Sequence, residues 1–171
     1  MRLAGLTRTQ AVGGESVFGD SLPAGVYSDG LLTVTTRPDA RSLIECLEWP
    51  FVQAYDAFAT TAFGNLFLCS CEREELFFLA VQYGRAFVVA RNLSDLLDHV
   101  LADENNRARF LDTELFSQAR SRLGSLAYGD AYTFDLPLAL GGDENPERCD
   151  VEPLDIYLTI IGQTFGPDWR P

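Results

Sequence analysis

The sequence predicts a single α+β domain, a mainly antiparallel sheet with flanking helices. Three observations predict it. Short β-branched and aromatic runs are joined by connections too short for crossover helices. Four other segments carry apolar residues at helical spacing. The 171 residues suffice for one core that buries roughly 70% of the unfolded chain's surface, with no metal or disulfide staple required.

Taken in order, residues 1–28 are rich in Gly, Ser and Thr without periodicity, and read as an irregular N-terminal arm. The domain proper is expected over residues 29–171. Leu31-Leu32-Thr33-Val34-Thr35-Thr36 follows the turn pair Asp29-Gly30 and reads as a strand. Pro38-Asp39 suits the first turn of a helix, which carries Leu43, Ile44 and Leu47 on one face and stops before Pro50. Thr60 to Ser70 reads as an apolar strand in which Gly64-Asn65 makes a bulge or tight turn. Glu72-Arg73-Glu74-Glu75 is a polar turn, Leu76 to Gln82 a strand buried on both faces, and Ala86 to Ala90 its return. Asn92 offers an N-cap to a helix bearing Leu93, Leu96, Leu97, Val100 and Leu101. A second helix covers Asp112 to Leu123 and ends at Gly124. Asp130 to Leu136 reads as a strand, Gly141 to Cys149 as a polar loop, and Pro153 to Phe165 as a terminal helix.

Composition narrows the function. There are 13 arginines and no lysine against 25 acids, a net charge of −12. Such a balance repels phosphate backbones and anionic membrane surfaces. No nucleic-acid and no membrane partner is expected. A basic protein partner is the electrostatic complement, with solubility alone as the competing reason for the acidity. The charge is uneven: residues 128–171 hold nine acids and two arginines, a net of −7. Its densest stretch is Asp143-Glu144-Asn145-Pro146-Glu147-Arg148-Cys149-Asp150. That stretch is either a solvated loop or a docking surface for a cationic site. The opening residues lack an apolar signal core, and no run is long enough to span a bilayer, so a cytoplasmic protein is expected.

No catalytic constellation stands out. His99 is the only histidine, set in a leucine-rich helix where a surface position is the simple reading. Cys69-Ser70-Cys71 places two thiols on one strand face beside apolar residues and Glu72, which disfavours a thiolate. Metal ligands at finger-like spacing are missing. Acids are plentiful, but no spacing singles out a glycosidase pair. No phosphate-binding glycine motif appears, and the lack of lysine excludes Schiff-base chemistry. Gly141-Gly142 reads as a strand exit rather than an anion nest, given Asp143 and Glu144 beside it. No enzyme, cofactor or metal is expected. A hydrolase using acids with Cys69 or His99 remains the catalytic alternative.

Several C-terminal segments carry a family resemblance. They are Leu123-Gly124 through Tyr128-Gly129-Asp130, then Leu136-Pro137-Leu138-Ala139-Leu140-Gly141-Gly142, then Asp155-Ile156-Tyr157 leading to Ile161-Gly162-Gln163. Upstream, Phe63-Gly64-Asn65-Leu66-Phe67 fits the same pattern. Together they resemble the C-terminal domain of immunity proteins that neutralise type VI secretion DNase effectors, formerly a domain of unknown function. The resemblance runs from about Asp29 to Phe165. Longer family members carry a separate N-terminal domain, and residues 1–28 are too short for one.

The resemblance implies binding rather than catalysis. Its partner would be a cognate effector toxin with a basic active site, a nuclease or nucleotide-targeting enzyme, held as a 1:1 heterodimer. Contacts are expected at Asp143, Glu144, Glu147 and Asp150, with Glu72, Glu74 and Glu75 as a second patch. Gly141, Gly142, Gly162 and Gln163 are expected to serve strand exit and helix packing. A non-catalytic adaptor of the same fold without a toxin is the alternative.

Overall fold

Eight strands form a meander in which each pairs antiparallel with the next in the chain: β1 (Arg2–Leu3), β2 (Leu6–Ala11), β3 (Gly25–Tyr27), β4 (Leu32–Val34), β5 (Asp56–Thr61), β6 (Leu66–Ser70), β7 (Arg73–Ala80) and β8 (Arg85–Ala90). A two-stranded ribbon, β9 (Asp130–Phe134) with β10 (Cys149–Pro153), stands beside it. The computed structural model describes residues 2–166 apart from residues 4 and 71. The expected pairing of Cys69 with Cys71 on one face therefore lies outside the described residues.

Strand alternation divides the apolar side chains between two cores. Leu66, Leu68 and Leu79 point to one face, and Phe67, Cys69 and Phe78 to the other. The first face is covered by α1 (Arg37–Leu47) and α5 (Leu154–Phe165). Helix α1 starts where Thr36 Oγ1 accepts from the Asp39 N–H at 3.4 Å, with Pro38 in its first turn. It ends at Glu48, which takes a left-handed φ of 56° and turns the wholly buried Trp49 under α5. There the Trp49 indole donates to the Gly162 carbonyl at 3.3 Å. A Cβ at Gly162 would lie 2.5 Å from the Leu47 carbonyl oxygen, so only glycine lets the two helices meet this closely.

The second face is covered by α2 (Leu93–Asp95) with a π turn over Leu96–Val100, then α3 (Glu104–Leu111) and α4 (Thr113–Leu123). Asn92 caps α2 as expected, accepting from the Asp95 N–H at 2.9 Å. Leu96, Leu101, Leu111, Phe116 and Ala119 close over Phe58, Phe67 and Phe78. Helices on both faces of an antiparallel sheet make this an α+β fold.

Four local expectations are corrected. Residues 1–28 are not an irregular arm: β2 and β3 extend the main sheet, and buried Leu6, Leu22, Val26 and Tyr27 hold them there. The apolar run from Thr60 is a hairpin, because Gly64 returns the chain from β5 to β6 by a turn closed on Thr61. Helix α3 was hidden by its polar sequence, with Asp103 supplying its cap to the Asn106 N–H at 2.8 Å. Part of the C-terminal loop is β10, whose exposed acids disguise a strand.

Candidate functional site

The polar segment between β9 and β10 is a held loop. Gly141 adopts φ 91°, and the Gly142 N–H donates to the Pro137 carbonyl at 3.2 Å. Gly141 ends the short turn Leu138–Leu140 and a Cβ on Gly142 would fall 1.9 Å from the Leu136 oxygen, so these glycines shape the loop beyond β9 rather than the strand exit expected of them. Asn145 Oδ1 accepts from the Glu147 N–H at 3.0 Å, starting a short turn. From α4, Arg122 Nε donates to the Pro146 carbonyl at 3.1 Å, and the same guanidinium donates to the Cys149 carbonyl. Other motif residues are also structural. The Tyr128 hydroxyl donates to Asp39 at 2.6 Å and accepts from the Thr36 N–H at 2.9 Å, tying the start of β9 to the head of α1. Burial and that bond to Asp39 push the Tyr128 phenol up to about 12. Gln163, by contrast, is exposed, since it falls on the outer face of α5.

All seven expected acids are exposed. They are not one patch. Glu72 precedes β7, and Glu74 and Glu75 lie in its first residues. Glu144 sits at the far end of that strand, where the Tyr83 hydroxyl donates to its carboxylate at 2.7 Å. At strand rise, the two ends are about 20 Å apart. Even within the loop the acids diverge. Glu144 lines a cavity toward β7 and β8, while Asp150 lines a separate depression with Asp135, Glu152 and Tyr157.

The Glu144 cavity has a volume near 330 Å³. Its apolar walls are aromatic. Phe78 lies 5.6 Å from Phe87 and 5.3 Å from Phe110, and Phe63 stacks on Phe134 at 5.7 Å. Tyr83 and Phe87 remain 54% and 43% exposed, which makes them the large exposed aromatics next to the acidic loop. The polar lining is Asn65, whose Oδ1 accepts from the Val81 N–H at 3.1 Å, with Gln82, Tyr83, Arg109, Asp112 and Glu144. Gln82 is only 3% exposed; its Oε1 accepts from the Leu138 N–H at 3.2 Å, yet its Nε2 has no partner. Burial, and then the neighbouring Glu144 charge, pushes the Asp112 carboxyl up to about 6. The hydrogen bond to Glu144, reinforced by burial, pushes the Tyr83 phenol up to about 12. Chemically this is an apolar slot with carboxylates along one side.

Sequence reasoning missed Gln82, Tyr83, Phe87 and Asp112. Tyr83 reads as a turn residue and Asp112 as a helix start, and no spacing joins residues 82, 112 and 144. Only the packing of the loop against the β7–β8 turn does so. The residues of the catalytic alternative are placed apart in environment. Cys69 is buried with its Sγ 3.7 Å from the Asp56 carbonyl, whereas His99 is exposed in the π turn. Burial pushes the Cys149 thiol up to about 11, far from a thiolate at neutral pH. Among the described residues, no three potential ligands gather as a metal site, and no helix is long and apolar enough to cross a membrane.

Comparison with known proteins agrees with the C-terminal motifs. Residues 90–164 match the family model described as T6SS immunity protein Tdi1, C-terminal. That segment runs from the end of β8 through α5 and contains the whole acidic loop. The match covers fewer than half of the residues and supports an immunity role in general. No curated protein matches. Among solved structures, the chain is similar to the crystal structure of Atu4351 from Agrobacterium tumefaciens. The TM-score is 0.60 at 18% identity, over 82% of this chain and 70% of that one. At that identity the likeness shows the fold alone.

Proposed function

We propose, from the match of residues 90–164 to a type VI secretion immunity family, that this chain binds a cognate effector toxin and neutralises it by covering a cationic active site. That match is the observation that carries the reading, because the matched segment includes the acidic loop. The effector class best suited to the charge is a nuclease or nucleotide-targeting enzyme, which must present a basic surface to phosphates. An inhibitor of net charge −12 approaches such a surface with favourable steering. The proposed contact is the loop with Asp143, Glu144, Glu147 and Asp150, together with exposed Tyr83 and Phe87. Exposed aromatics beside charges are the usual carriers of interface energy. Glu72, Glu74 and Glu75 form a second, separate contact. One immunity chain per effector in the cytoplasm is the simplest arrangement.

The test is growth rescue. The product of the adjacent reading frame is expressed in a sensitive host with and without this chain. Killing by the neighbour alone and recovery in the presence of this chain are expected, and the damage then names the toxin's chemistry. A harmless neighbour, or killing that continues regardless, sinks the immunity reading and leaves an adaptor of the same fold.

A further inference from the structure

The cavity behind Tyr83 and Phe87 is unfinished in two ways. Gln82 is buried with an amide N–H₂ that has no acceptor, although burial without a partner costs free energy. Asp112 and Glu144 line the same cavity, near enough for the Glu144 charge to help raise the Asp112 carboxyl. Arg109 also lines the cavity, but from an exposed position on α3, and the Asp112 carboxyl stays raised in its presence. A group that complements this lining brings positive charge to the carboxylates and an acceptor oxygen to Gln82. It must also be flat or slender enough to lie between aromatic walls.

We propose that this cavity is a socket for an arginine side chain of the partner protein, its guanidinium between Asp112 and Glu144, its carbon stem against Phe87 and Phe110, and a main-chain carbonyl of the same segment accepting from Gln82 Nε2. Arginine fits better than lysine here. Its planar fork binds two carboxylates at once, and it stacks on aromatic faces. A volume near 330 Å³ accommodates the side chain and its peptide carbonyl. The socket deepens the immunity reading and rests on it for the source of the arginine, which is the effector.

The experiment needs no effector. The full chain, ¹⁵N-labelled, is titrated with N-acetyl-arginine methylamide and followed by NMR. Saturable shifts in the Gln82 side-chain amide and around Phe87 and Phe110 are expected in the millimolar range. The uncharged citrulline analogue should bind at least about tenfold more weakly, since it keeps the shape and loses the charge. Asp112→Asn and Glu144→Gln should each weaken the arginine probe by about fivefold. Both variants preserve the fold: asparagine suits the left-handed backbone at 112, and glutamine retains an acceptor for Tyr83. A Gln82 amide that does not respond, equal binding of citrulline, or stronger binding of guanosine overturns the socket, even if growth rescue succeeds. If the arginine probe binds as expected and rescue fails, the socket stands and the effector falls as its partner.

Discussion

Asp112 joins a left-handed backbone, at φ 47°, to a half-buried carboxylate in the same cavity as Glu144. Its charge is a cost to the fold. Because the folded carboxyl titrates at about 6, above its ordinary value of 3.8, the folded chain holds this proton more firmly than the unfolded chain does. The penalty is complete above the folded value and disappears below the unfolded one, so this group's contribution to stability falls as pH rises through that window. Asp112→Asn should raise stability at pH 7.5 by about 1 kcal/mol, allowing for solvent screening, and leave it unchanged near pH 3.5. Urea unfolding at both values checks this. An equal gain at both would mean that charge is not the cause. Single side chains were the least legible part of the sequence. Glu144 could be selected from its acidic surroundings, but its partner Tyr83, and Gln82 in the same cavity, lie some sixty residues upstream. Nothing local marks Gln82, whose significance arises from burial beside Leu138.

Elements were more legible where apolar periodicity was strong. Helices α1 and α5 follow from Leu43, Ile44, Leu47 and from Leu154, Tyr157, Leu158, Ile161, all buried as their spacing requires. The missed elements share a different trait, a polar sequence whose place is set by tertiary contact. Strand β10 reads Cys-Asp-Val-Glu-Pro and keeps only Cys149 buried, so its pairing with β9 left no alternating signal. The acidic loop that precedes it is fastened from α4 by Arg122, through the Pro146 and Cys149 carbonyls. Arg122→Ala should therefore loosen the loop without unfolding the domain. Amide hydrogen exchange at residues 147–149 should accelerate by about tenfold or more, while β5 and β6 stay protected. Unchanged exchange would show that the loop is held by its own turns alone.

On the scale of the molecule, charge and topology are separable. The fold class was legible from short connections and helical spacing, since both are local consequences of backbone geometry. The attachment of residues 1–28 was not, because β2 is polar along its exposed side and β3 is only three residues long. Net charge was legible, but its distribution over the surface was not. Reversing Asp143, Glu144, Glu147 and Asp150 to lysine moves the net charge from −12 to −4. Association with the effector should slow by roughly 10–100-fold at low salt, and its salt dependence should flatten. Reversal of Glu72, Glu74 and Glu75, at the other end of β7, should have a smaller effect. Stopped-flow rates across ionic strength measure both, and an unchanged rate for the fourfold variant removes the loop from the contact.

The meander also sets the order in which the molecule can be made. Every strand of the main sheet pairs with its neighbour in the chain, and the closures from β5 to β8 are short turns of small entropy cost, whereas the β4–β5 connection is longer because it carries α1. A growing chain can add strands to the sheet as they leave the ribosome. The later helices and the β9–β10 ribbon then settle on its two faces, α5 over α1 and Trp49.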